Sequence, residues 1–534
     1  MRLLNNPSKL TTDQIAGFLV VLGTFVGLLI RLSLPLISAF PLNDGGLFYS
    51  MIGDLQHNHY ALPLSTSYNA SNLPFAYPPL GLYITAFLAE LFRIPLLDLL
   101  RLAPAVLSAG CIPIFYLLAN QFLSSRVTSA AAAVVFALTP RIFEWQIMGG
   151  GITRSFGMIF SLLTMHYIVK LYKSQTLIHV VGASIFGALT VLSHPEAVPH
   201  TLIAVGVFYL FLSRSRSGLL GSLLVGLFVL LLSLPWWLTI IDRYGTGPFV
   251  AAISTAGVNN SGWFERLFIL LRYEFTQEPY LPLIAVLSLI GIFQSILSRN
   301  ILLPAWMILH YLLEPRSGSL YMLIPLVMLA AIGIGTVVSM VLLANKGVIK
   351  RSQPVNSSPN NGYAISRVFR PAFPIFILLF IYLMLSAYVS AFFIYDRVSL
   401  KHADTQVFDW INDNVKRDAD FLVITNAKPL LDPLSEWFPA LTERKSLATV
   451  FGNEWVPGGN FQTKVSGYEK LQDCSQQTAT CLYDWTDEKN VGFDYVLIKK
   501  QLDSSILEYD LKTNPGFSLY FENSALIIYG RNNN

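Results

Sequence analysis

Asp44, Arg154, His194, Glu196 and Arg316 are ionisable residues that each stand at the edge of a long apolar run, half removed from water. A carboxylate in such a place loses hydration, which favours its protonated form and suits it to act as a base toward a hydroxyl. Asp44, in Pro41-Leu42-Asn43-Asp44-Gly45-Gly46, is the candidate for that work. It equally suits the N-cap of a helix through Phe48, Met51 and Leu55, and the two roles are compatible. Gly149-Gly150-Gly151-Ile152-Thr153-Arg154 sets bare backbone beside a guanidinium. Gly150 and Gly151 would admit a ligand closely, and free N–H groups at a helix start together with Arg154 suit a phosphate. The alternative is a tight turn with Arg154 reaching to lipid headgroups. Ser193-His194-Pro195-Glu196 brings an imidazole near a carboxylate, and Glu314-Pro315-Arg316 adds a second arginine. Ionisable groups at membrane depth are costly and often functional, although each stretch also reads as an ordinary interfacial loop. Tyr77 and Glu144 would help His194 and Glu196 shape a pocket. Asp54, His57 and His59 could ligate a metal, but a solvated loop is the better reading, and no metal site is expected.

The elements that must hold these residues are membrane spans. The 534 residues are 53% hydrophobic and 13% charged, against about 25% charged in soluble domains. Mean hydropathy is +0.53. About eleven runs are apolar enough to act as spans: 15–37, 99–120, 127–143, 156–172, 177–193, 196–212, 218–240, 281–297, 301–313, 319–343 and 371–394. The loops between them alternate. One set carries Arg126, Lys170, Lys173, Arg214, Arg216, Arg299, Lys346 and Arg367. The other carries Asp44, Asp54, Glu144, Glu196, Glu274, Glu278 and Glu314. Basic loops stay in the cytoplasm, so the N-terminus is expected inside and the C-terminus outside. The candidate residues then share the outer face. The net charge of +4 is slight and gives no case for nucleic acid.

This reading divides the chain into a membrane domain over 1–396 and an exoplasmic α/β domain over 397–534. The long first outer loop spans 38–98, and its apolar segment Leu80–Phe92 is too short to cross, so it is expected along the outer surface. A cytoplasmic linker rich in Asn, Ser and Pro is expected over 344–370. In the tail, Val407, Phe408, Ile411 and Val415 follow the cap candidate Asp404-Thr405 at helical spacing. Phe421–Thr425, Tyr495–Ile498 and Leu526–Tyr529 read as strands. Cys474 and Cys481 would form a disulfide if outside the cytosol, or remain two thiols.

Together these features resemble the GT-C superfamily of integral-membrane glycosyltransferases, which includes protein O-mannosyltransferases, aminoarabinose transferases and oligosaccharyltransferase catalytic subunits. The resemblance rests on one short span before Asp44, on Tyr77-Pro78-Pro79-Leu80 ahead of a juxtamembrane helix, and on Arg101 and Pro104 entering the next span. The tail stretch Glu436-Trp437-Phe438-Pro439-Ala440-Leu441-Thr442-Glu443-Arg444 looks like those of uncharacterised bacterial members. The resemblance implies an inverting transfer of a sugar from a polyprenyl-phosphate-linked donor to a glycan, lipid or protein acceptor at the outer face of the cell membrane. Asp44 would act at the acceptor. Many members carry a second acid just before the fourth span, where this chain reads Gly151-Ile152-Thr153-Arg154. That departure disfavours a divalent metal. It leaves Arg154 and Arg316 to neutralise the leaving phosphate. Other classes remain in view: a transporter or lipid-handling protein, and a noncatalytic scaffold.

Overall fold

The computed structural model describes residues 11–255, 263–349, 362–500 and 505–532. Among them, six helices are long and apolar enough to cross a membrane: Thr12–Ile37, Leu96–Ala119, Gly151–Ser174, Arg216–Tyr244, Ser317–Val341 and Pro374–Asn414. Shorter apolar helices stand between them, among them Arg126–Leu138, Leu177–Ser193, Leu283–Leu297 and Leu302–Leu313. The chain is therefore a polytopic helical membrane protein.

The opening helix shows how residue type sets packing. Thr11 and Gln14 close a capping box, each side chain accepting the other's backbone N–H, at 3.2 Å and 2.9 Å. One face exposes Phe18, Val21, Phe25 and Leu29, a surface suited to lipid. The opposite face is buried and lined by Ala16, Gly23, Gly27 and Ile30. A Cβ on Gly27 would come 2.7 Å from Ile112 Cδ1, so glycine lets the Leu96–Ala119 helix approach closely. Arg31 lies fully buried on this face. Its Nε donates to Ser108 Oγ at 2.9 Å, and its Nη1 donates to the carbonyls of Gly27 and Ala137 at 3.0 Å and 2.8 Å. The guanidinium also stacks over the Phe143 ring.

Several boundaries differ from the sequence reading. The run 127–143 is two helices, Arg126–Leu138 and Pro140–Phe143, because Pro140 cannot donate to the preceding turn. The linker assigned to 344–370 is helical at both ends, since Leu323–Ile349 and Gly362–Val398 run into it; its centre, 350–361, lies outside the described residues. No proline stands between Asn345 and Ile349, and the helix continues past its apolar part through Gly347. Leu80–Phe92 buries Gly81, Leu82, Thr85, Ala86 and Ala89 against the Gly46–His57 and Gly151–Ser174 helices, and leaves Phe87, Leu91 and Phe92 exposed.

Beyond the last span, a five-stranded sheet runs in the order Lys445–Ser446, Asp420–Ile424, Tyr495–Lys499, Leu526–Arg531, Phe517–Glu522. The first three strands are parallel and the last two pair antiparallel. The His402–Asn414 helix begins after Lys401, not at Asp404. Asp404 is its third residue and accepts the Lys401 N–H at 2.8 Å, closing the cap from inside. Cys474 and Cys481 are joined by a disulfide, with Cα atoms 5.6 Å apart. Cys111 is a buried free thiol.

Candidate active site

The loop after the first helix is pinned from both sides. The Asn43 N–H donates to Val398 O at 2.9 Å, and Gly149 N–H donates to Leu42 O at 2.9 Å. Asn43 has φ 51° and Gly45 φ 126°, so the chain kinks on both sides of Asp44. The Gly46–His57 helix is capped at Gly45, which has no side chain to give. Of the two roles open to Asp44, capping is thus not the one adopted. Its carboxylate turns toward the segment Glu144–Arg154. Oδ1 accepts the Gly150 N–H at 2.9 Å, and Oδ2 forms an ion pair with Arg154 Nη2. Arg154 Nη1 donates to Trp145 O at 2.9 Å, and the guanidinium lies over the Trp145 ring. The Asp44 side chain keeps 10% of its exposure and that of Arg154 21%, so the pair is shielded but reachable.

The glycines do a different job from the one expected. The N–H groups of Gly149, Gly150 and Gly151 go to Leu42 O, Asp44 Oδ1 and Met148 O. With all three satisfied inside the protein, they are not free to cradle a phosphate. What they supply is space: a Cβ on Gly149 would fall 2.0 Å from Asp44 O, and one on Gly150 would fall 2.7 Å from Asp44 Oδ2. Arg154 keeps donor capacity, since its five N–H groups are only partly engaged by Asp44 and Trp145.

A second polar group lies alongside. Tyr77 Oη is 3.1 Å from Thr153 Oγ1 and 2.8 Å from His194 Nδ1. His194 Nε2 is 3.6 Å from Glu196 Oε2, which also accepts from Ser317 Oγ. Burial, the largest influence on the Tyr77 phenol, raises its pKa, so it stays a neutral donor. Thr153 and Arg154 are neighbours at the start of one helix, so this chain runs directly beside the Asp44 pair. Glu144 is placed elsewhere. It accepts from Ser390 Oγ at 2.9 Å, and burial raises its pKa against the pull of Arg141. Arg316 belongs to the Pro315–Tyr321 helix, and its side chain lies outside the described residues.

The residue that sequence reasoning missed as part of the site is Glu436. Its Oε1 accepts from Gly45 N–H at 2.9 Å and from Leu47 N–H at 3.4 Å. Trp437 Nε1 donates to Asn43 O at 2.9 Å, and Tyr68 Oη donates to Glu436 O at 2.9 Å. A signal was present: Glu436 is the one acid between Leu434 and Phe438, on a helix otherwise fit for burial.

No family model matches this chain, and no curated protein matches it. Solved structures do. The oligosaccharyltransferase AglB from Archaeoglobus fulgidus, solved with an inhibitory peptide and a dolichol-phosphate, is 14% identical, covering 97% of this chain and 74% of its own, with a TM-score of 0.62. ArnT from Cupriavidus metallidurans in the apo state is 14% identical over 96% of this chain and 98% of its own, with a TM-score of 0.53. The arabinofuranosyltransferase AftD from Mycobacteria is 15% identical over 96% of this chain and 40% of its own, at 0.54. Aligned over nearly its whole length to these proteins, the chain has the fold of the GT-C membrane glycosyltransferases.

Proposed function

We propose that this protein transfers a sugar from a polyprenyl-phosphate-linked donor to an acceptor hydroxyl at the outer face of the membrane, with inversion. The observation that carries the reading is the shielded Asp44–Arg154 pair at the start of the Gly151–Ser174 helix, on a fold shared with enzymes of this class. Asp44 orients and deprotonates the acceptor hydroxyl as the new bond forms. Arg154 meets the negative charge that builds on the departing phosphate. Arg316 is a second cation for it on sequence grounds. Tyr77, His194 and Glu196 hold the sugar's hydroxyls. The reading places the N-terminus in the cytoplasm, eleven spans across the membrane, and the sheet-bearing segment outside as a small α/β domain. No divalent metal is needed, since Asp44 is already balanced by a guanidinium and a backbone N–H.

The test uses purified protein in nanodiscs with a panel of radiolabelled polyprenyl-phosphate sugars, comparing wild type with D44N. Turnover of one donor, lost in D44N, supports the reading and names the sugar. Folded protein that neither binds nor turns over any donor overturns it, and flux of label into sealed vesicles would instead mark a transporter.

A further inference from the structure

We propose that Glu436 is a positioning residue for Asp44, so that the segment beyond the last span completes the site; the inference rests on the reading of Asp44 as the residue that meets the acceptor. The helix that follows Asp44 starts at Gly45, which cannot cap it, and its first N–H groups would be left without a partner. Glu436 supplies the missing acceptor from a distant part of the chain, taking the Gly45 and Leu47 N–H groups on one oxygen. Contact is close enough that a Cβ on Gly46 would lie 2.7 Å from Glu436 O. Trp437 holds the Asn43 carbonyl on the other side of Asp44. The backbone of Asp44 is thus gripped before and after by consecutive residues of one tail helix.

Charge then fixes the form in which Glu436 acts. The titratable groups that face it are Asp44 from the first loop, Arg154 from the Gly151–Ser174 helix and Tyr68 from the turn Tyr68–Ala70. Two carboxylates share one guanidinium, and Asp44 makes the direct ion pair with it. Like charges this close in a buried site do not both ionise. Among the described residues the buried Glu436 Oε2 has no partner, a position less costly for a neutral carboxyl oxygen than for a charged one. Burial first, and the Asp44 charge second, raise its pKa well above the usual carboxylate range. Neutral Glu436 caps the helix through its carbonyl oxygen without competing with Asp44 for Arg154.

The experiment compares wild type, E436Q and E436A in nanodiscs, by thermal unfolding from pH 5 to 9 and by kcat against pH with the donor identified in the panel above. Glutamine keeps the carbonyl acceptor and cannot ionise. E436Q is expected to melt within about 2 °C of wild type at pH 6. Wild type should lose stability relative to E436Q as pH rises. E436A should lose kcat by about 10²-fold with KM little changed, because Asp44 is misplaced. E436Q should retain kcat at pH 7 and lack wild type's decline at high pH. A purely structural role would lower the yield of folded Q and A variants alike without changing either pH profile. Parallel melting curves for wild type and E436Q, or an E436Q as impaired as E436A at pH 6, would overturn the proposal. The melting comparison needs no donor, so it stands apart from success or failure of the glycosyltransferase assay.

Discussion

Asp44 faces away from its own helix, and the consequences can be tested one atom at a time. In G150A the added Cβ would sit 2.7 Å from Asp44 Oδ2 and push the carboxylate off its place. A displacement of that kind, in folded protein, is expected to lower donor turnover by about 10²-fold, measured as kcat in nanodiscs. R154K should fare badly too, since a lysine cannot serve Asp44 and the Trp145 carbonyl in one plane. Chelator, by contrast, should leave turnover unchanged; inhibition by EDTA reversed by a divalent cation would contradict the guanidinium-only reading of the site. Much of this was legible in the sequence. Asp44, Arg154, His194 and Tyr77 announced themselves as polar groups beside apolar runs. The direction of the glycine N–H groups was not legible, because it depends on which loop lies across them. Nor was the grip of Glu436 on Gly45, since the two residues are 391 positions apart and only the folded chain joins them.

At the scale of elements, the polytopic character was legible because apolar length is a local property. Six helices among the described residues are long and apolar enough to cross, against the eleven runs read as spans, and the helix ends were not legible. The break at Pro140 and the helical ends of 344–370 depend on backbone hydrogen bonding, which hydropathy does not register. In the tail, the three apolar strands were readable. Phe517–Glu522 was missed although Phe517, Leu519 and Phe521 alternate; it is a mostly exposed edge strand, and only the folded sheet shows that it pairs with Leu526–Arg531. The Pro433–Thr442 helix is the element on which the most depends. Trp437 is fully buried, packs edge-on against Phe40 with ring centroids 4.7 Å apart, and donates to the Asn43 carbonyl. W437A should destabilise the fold by about 3–5 kcal/mol and release the first loop, read by thermal unfolding and by new protease cleavage near Asn43. Reducing the Cys474–Cys481 bond should cost less, about 2 kcal/mol, because the loop it closes is short.

Across the whole molecule, one buried acid, Glu436, ties the tail to the first loop, and a second, Asp432, is buried within the tail itself. Asp432 and Glu436 both have their pKa raised by burial. A group that holds its proton more tightly when folded adds stability below its unfolded pKa and loses it as pH rises through the folded value. Thermal stability of the intact protein should therefore decline as pH climbs above the ordinary carboxylate range, and D432N with E436Q should flatten that decline. The far end of the molecule carries a different constraint. Among the described residues Arg31 has no carboxylate partner; besides the Gly27 carbonyl of its own helix, its acceptors are Ser108 and Ala137, residues synthesised well after that helix. Arg31 stands toward the C-terminal end of Thr12–Ile37, and exposing it to lipid costs up to about 2.5–3.5 kcal/mol, the figure for a helix centre. The first helix is thus ill-suited to leave the insertion machinery alone, and its sharing of Arg31 with the Leu96–Ala119 and Arg126–Leu138 helices makes those three a unit of biogenesis. Truncated nascent chains ending before Ser108 should remain extractable from the membrane by carbonate, whereas R31L chains of the same length should not.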